Sequence, residues 1–123
     1  MDWTFSGDQP VYRQIVSAIR NAVLSGEYPP GSRIPSVRDL AATAKVNPNT
    51  MQRALSELEH QGLLVGGGTT GRSVTADEAI LKTLRAEKLN ELARQCAARF
   101  AACGLSPRQA AELIAALEET TEE

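Results

Sequence analysis

Several things are scarce in this sequence of 123 residues, and each shortage removes a class of function. Only five residues are aromatic, Trp3, Phe5, Tyr12, Tyr28 and Phe100. There is one histidine, His60, so neither a histidine-rich metal cluster nor a Ser/His/Asp triad can be assembled, and no catalytic residue, metal ligand or cofactor is expected. Two cysteines are present, Cys96 and Cys103. Seven apart on one predicted helix, they would stand about 10.5 Å apart, beyond the roughly 7 Å Cα limit of a disulfide. They read as two small buried residues, with an intersubunit thiol pair or redox sensor as the other possibility. No apolar run approaches the roughly 20 residues of a membrane span, and the start MDWTFSGDQP lacks the basic and apolar parts of a signal peptide. The expectation is a cytoplasmic protein with no membrane partner.

A basic excess is also missing: 13 Lys and Arg face 15 Asp and Glu, for a net charge of −2. The distribution carries more information than the total. Up to Val74 there are seven basic residues against six acidic, and beyond it six against nine. Only the first part has the sign expected of a segment that meets phosphate.

What the chain does contain is organised around Ser36 to Leu64. Asn47 is a strong N-cap, and Pro48 follows at the first helical position, where its missing N–H costs nothing. Met51, Ala54, Leu55 and Leu58 then recur at i, i+3, i+4 and i+7, one buried stripe. The other face carries Asn49, Thr50, Gln52, Arg53 and Ser56. Short hydrogen-bonding side chains crowded toward a helix start are the pattern of a helix that reads a surface. A short helix precedes it, with Ser36 as N-cap, Asp39 three residues on, and Val37, Leu40 and Ala41 as its buried face. Ala44-Lys45-Val46 is the turn between them.

Upstream, Pro10 opens a helix whose stripe is Tyr12, Ile15, Val16, Ile19 and Val23, with Tyr12 read as core and Gly26 as the stop. Tyr28-Pro29-Pro30-Gly31 forbids helix, and Ser32 to Pro35 is extended. Downstream, Leu63-Leu64-Val65 and Arg72-Ser73-Val74 have strand character on either side of Gly66-Gly67-Gly68-Thr69-Thr70-Gly71. The glycines lack the Gly-Lys-Ser/Thr and βαβ setting of a phosphate-binding loop. From Thr75, which with Glu78 forms a capping box, a long helix carries Leu81, Leu84, Leu89, Leu92, Cys96, Phe100 and Cys103 roughly on one side. Gly104 ends it, and Ser106-Pro107-Arg108-Gln109 starts a last helix with Ala110, Leu113, Ile114 and Leu117, running to about Glu119 before a frayed acidic end. Two helices make a thin core, so these stripes are buried either on the first part or across a two-fold axis; the second is expected.

The resulting fold class is mainly α: a winged helix-turn-helix of three helices and a small β-hairpin wing (1–74), followed by two C-terminal helices forming a dimerisation module (75–123). The order Pro10-Val-Tyr-Arg-Gln-Ile15, Gly26 to Gly31, Ile34-Pro35-Ser36-Val37-Arg38-Asp39-Leu40-Ala41, Val46-Asn47-Pro48-Asn49-Thr50 and Leu58-Glu59 through Gly62-Leu63-Leu64 resembles the DNA-binding domain of the GntR family of bacterial transcription regulators. The short two-helix tail is similar to the YtrA subfamily, whose tail dimerises. The resemblance implies that Arg38 contacts DNA from the second helix and that Asn47, Pro48, Asn49, Thr50, Gln52 and Arg53 lie where the reading helix meets bases and phosphates. Pro48 stands where other members carry arginine. Arg72 is the one basic residue of a wing whose tip, GGGTTG, is neutral.

The expected function is a sequence-specific transcription regulator, most simply a dimeric repressor on double-stranded operator DNA with inverted half-sites. Leu81, Leu84, Leu92, Phe100, Leu113 and Leu117 would hold the dimer. A small-molecule effector is not expected, because two helices do not enclose a pocket. The competing possibility is a winged helix used for protein assembly, with no DNA site.

Overall fold

The structure is a computed structural model that describes Met1, residues 3–66 and residues 71–121. Residues 67–70 of the expected wing tip, Gly66 to Gly71, and residues 122–123 of the acidic end expected to fray from Glu118 lie outside the described residues.

Helix α1, Val11–Ser25, begins at Pro10, whose carbonyl accepts the N–H groups of Arg13 and Gln14. It ends at Gly26, which takes φ +90°, a left-handed value that a Cβ would penalise. Ile15, Val16, Ile19, Ala22 and Val23 are buried. Helix α2, Val37–Ala44, is capped by the Ser36 hydroxyl, which accepts from the Asp39 N–H at 3.1 Å. Its buried residues are Leu40, Ala41 and Ala44, with Val37 only half-buried. Lys45 ends it at φ +60° and turns the chain into helix α3, Pro48–His60.

Helix α3 lies against both α1 and α2. Met51, Ala54, Leu55 and Leu58 are all 0% exposed, and together with Ile15, Ile19, Leu63 and Val74 they form the centre of the core. Truncating one of these large side chains to alanine should cost roughly 2–5 kcal/mol, because lost apolar burial and a residual cavity add.

Strand β1, Leu64–Gly66, pairs antiparallel with β2, Arg72–Val74, with Leu64 opposite Val74. The extended segment after α1 adds a third, minimal rung. Arg33 bridges Ser73, the Val74 N–H reaches the Ser32 carbonyl at 2.8 Å, and the Ile34 N–H reaches the Arg72 carbonyl at 3.0 Å. The wing is therefore fastened at its base from both sides.

Helix α4, Glu78–Ala102, starts two residues later than the expected capping box with Thr75 as N-cap would start it. Thr75 is 5% exposed and its hydroxyl accepts from the Asp77 N–H; Asp77 then accepts from the Ala79 N–H at 2.9 Å and caps the helix itself. An aspartate nearer the first turn is the better acceptor, and its charge suits the positive helix end. Helix α5 spans Pro107–Thr121. Between them Gly104 takes φ +85°, Leu105 donates to the Phe100 carbonyl and Gly104 to that of Ala101. Ser106 and Gln109 exchange reciprocal bonds at 3.2 and 2.8 Å, the complete capping box expected there.

The chain forms two compact units, Met1–Thr83 and Leu84–Glu123. In the first, the start of α4 contributes Ile80, whose Cδ1 closes over Gly62. In the second, Leu84 is 7% exposed, buried within its own chain. Leu92 and Leu113 are 45% and 52% exposed, Leu117 is exposed as well, and Phe100 is half-buried, as is Leu81 of the first unit. Among the described residues no helix is long and apolar enough to cross a membrane.

Candidate nucleic-acid interface

The first turns of α3 bring together the polar side chains that the sequence placed there. Asn47 is exposed, and its Oδ1 accepts from the Asn49 N–H at 2.7 Å, so its side chain is spent on starting the helix. Pro48 and Asn49 are exposed and Thr50 is half-buried. Gln52 faces solvent and donates to the Ser56 hydroxyl at 3.1 Å, one turn on. That bond is weak enough to be exchanged for a base edge. Because Met51, Ala54 and Leu55 are wholly buried behind them, these polar groups stand on a backbone that cannot shift without breaking the core. Arg38 is exposed on the first turn of α2, which packs against α3.

Arg53 is not paired along its own helix as a simple i to i+4 partner of Glu57 would be. Its guanidinium carbon lies 3.7 Å from the centroid of the Tyr12 ring, on α1. Tyr12, read from the sequence as core, is half-buried at the edge where α1 meets α3. Its hydroxyl accepts from Arg13 Nε at 3.3 Å. That hydrogen bond, with the positive charges of Arg53 and Arg13, holds the phenol below its ordinary pKa. Val11, Tyr12, Asn49, Thr50 and Arg53 together line an open hollow of about 320 Å³. The signal that could have placed Tyr12 outside the core is its position. It is the first residue of the stripe, in the turn where α1 overruns the core, and a phenol prefers a site with one wet end.

At the wing, Arg72 Nε lies 3.2 Å from Glu59 Oε2, and the two side chains are 16% and 31% exposed. The Nε–H is not aligned for a hydrogen bond, so the contact is an ion pair only. Gly66 makes room for it, since a Cβ there would overlap the Glu59 carboxylate. Arg33, which sequence reasoning did not single out, is exposed beside the same hairpin, its Nη2 next to Gly71. Its place was hidden because the partner, Ser73, is forty residues away.

Two helices joined by a left-handed turn, a polar second helix braced by a third, and a hairpin fastened beside it define a winged helix-turn-helix of the kind that reads duplex DNA. The profile described as "Bacterial regulatory proteins, gntR family" matches residues 11–71. The uncharacterized HTH-type transcriptional regulator YhcF of Bacillus subtilis is 32% identical over 114 residues, covering 93% of this chain and 94% of that protein. The chain belongs to the gntR family of bacterial transcription regulators. The HTH-type transcriptional repressor YtrA of Bacillus subtilis is 42% identical over 55 residues, which cover 45% of this chain and 42% of YtrA. Among solved structures, a GntR family transcriptional regulator from Listeria monocytogenes superposes with a TM-score of 0.79 at 30% identity, over 96% of this chain and 100% of that one. The AraR DNA-binding domain in complex with operator ORX1 matches 58% of this chain and 93% of its own, with a TM-score of 0.56 at 27% identity.

Proposed function

We propose that this chain is a cytoplasmic, homodimeric repressor that binds an inverted-repeat operator, residues 1–74 holding DNA and 75–123 holding the dimer. The observation that carries this reading is the polar start of α3, with Asn49, Gln52 and Arg53 exposed and Thr50 half-buried on a backbone fixed by a fully buried stripe. Entering the major groove by its N-terminal end, the helix would present Asn49 and Gln52 to base edges. Its amide N–H groups and positive dipole end would meet phosphate, with Arg38 and Arg53 as flanking anchors. Two copies related by a two-fold axis would place two such helices about one helical turn apart, hence the inverted repeat. Repression follows from occupying DNA that polymerase needs, and two similar proteins bear on it: YtrA is itself named a repressor, and AraR's domain is seen on an operator. No effector is part of this reading.

A second reading is a winged helix used for protein assembly. The ion pair that commits Arg72 to Glu59 favours it, because the wing then offers little free charge to DNA. Fluorescence anisotropy of the full chain on labelled duplex across salt concentrations separates the two. A repressor shows saturable binding whose logarithm falls linearly with that of salt concentration, with a further preference for duplexes enriched from a random pool. An assembly module shows neither.

A further inference from the structure

Tyr12 is wasted as a core residue. It sits at the wet end of the α1 stripe, and the ring that would have been buried is instead covered by a guanidinium from another helix. A second cation, Arg13, hydrogen-bonds the hydroxyl while its own guanidinium stays 6.0 Å from the ring centroid. The phenol is thus oriented from its edge by one arginine and stacked on its face by the other. Arg53 has the alternative of Glu57, one turn along α3 at the i+4 spacing where opposite charges meet. Arg53 nevertheless lies on the ring, beside the hollow that Val11, Asn49 and Thr50 also line.

A long, flexible side chain that must find a phosphate loses rotamer freedom on binding, and one already ordered in the free protein loses less. Stacking suits that purpose, because a planar guanidinium laid flat on a ring keeps its N–H donors at the rim, directed away from the ring. We propose that Tyr12 is a positioning residue of the DNA interface, whose ring face holds the Arg53 guanidinium at the hollow between the starts of α1 and α3, ready for a backbone phosphate of the duplex. This rests on the DNA-binding reading given above. The role belongs to the ring and not to the hydroxyl, since the hydroxyl is engaged by Arg13.

The test uses the full chain and its Tyr12→Phe, Tyr12→Leu, Arg53→Ala and Tyr12→Leu/Arg53→Ala variants. Two measurements are made: the NMR shifts of the Arg53 side-chain protons in free protein, and affinity for a fluorescein-labelled random-sequence duplex of about three helical turns. The ring should move the Arg53 resonances upfield in the wild type and in Tyr12→Phe, and the shift should vanish in Tyr12→Leu. Tyr12→Phe should bind within about twofold of wild type, and Tyr12→Leu should lose about tenfold. The double variant should bind no worse than Arg53→Ala alone, because the ring acts only through that arginine.

Losses that multiply in the double variant overturn the proposal. So does a Tyr12→Phe chain as weak as Tyr12→Leu, which would give the effect to the hydroxyl. An Arg53 resonance unmoved by Tyr12→Leu overturns it without any DNA. A wild-type chain that holds no duplex at any salt concentration defeats the DNA-binding reading and this proposal with it, whereas multiplying losses defeat this proposal alone.

Discussion

The two tyrosines should titrate apart, since their surroundings push them in opposite directions. Tyr12, held by the Arg13 hydrogen bond and then by the charge of Arg53, ionises below the ordinary value of 10.0. Tyr28 ionises above it, because burial disfavours the phenolate and Glu27 adds repulsion. Absorbance at the phenolate band should therefore rise in two steps, and Tyr12→Phe should remove the lower one. The stability effects have opposite signs. The lowered pKa of Tyr12 favours the fold above the unfolded value and fades as pH falls through the folded one. The raised pKa of Tyr28 favours the fold below the unfolded value, a contribution lost as pH rises through the folded one. A second residue-scale expectation concerns Lys45, the only non-glycine with positive φ among the described residues, at +60°. Holding a Cβ in that region costs about 1–2 kcal/mol, while glycine costs about 0.5–1 kcal/mol in chain entropy. Lys45→Gly should thus stabilise the protein by about 0.5–1 kcal/mol, read from its urea midpoint.

Among the elements, α3 was legible almost to the residue because its signals are local. An N-cap, a proline at the first position and a period of 3.6 all lie within thirteen residues. The Gly104 stop and the Ser106 box were legible for the same reason. What escaped lay between elements. The Tyr12–Arg53 stack joins residues 41 positions apart, and the Arg33–Ser73 bridge 40, distances over which sequence patterning carries no information. The α4 start was misplaced because Thr75 and Asp77 are both good caps, and burial of Thr75 decides between them. The roles proposed for α2 and α3 separate by mutation. Arg38→Ala should weaken binding to every sequence and lower the salt slope by about one, since a phosphate contact carries no base information. Asn49→Ala or Gln52→Ala should instead cost roughly 1–3 kcal/mol per half-site at particular base pairs, and measurements on an enriched duplex and its scrambled counterpart tell the two behaviours apart.

At the scale of the whole molecule, the second unit leaves a broad apolar surface wet. Leu89, Leu92, Leu113, Ile114 and Leu117 are each 45% exposed or more on two helices of 25 and 15 residues. A second copy is the partner proposed for them, while Leu84 and Ala110 are already covered within the chain. The wild type should sediment as a dimer, and Leu92→Glu combined with Leu113→Glu should give a monomer at the same concentration. DNA affinity should fall with it, since the two half-sites would then be bound independently, without a second reading helix held at high effective concentration beside the first. An unchanged sedimentation coefficient would remove these leucines from the interface.

The joint between α4 and α5 would set the order in which the proposed dimer forms. Its helix stop and capping box are closed by bonds among residues 100 to 109 alone. Contacts so near in sequence close at little loop entropy, and a helical corner of this size forms in roughly microseconds. Meeting a second chain is bimolecular, and therefore slow at low concentration. Refolding should accordingly show a fast phase insensitive to dilution, followed by a slower one whose rate rises with protein concentration. For the dimeric repressor proposed above, a cell making few copies would delay repression by the time two finished corners take to meet.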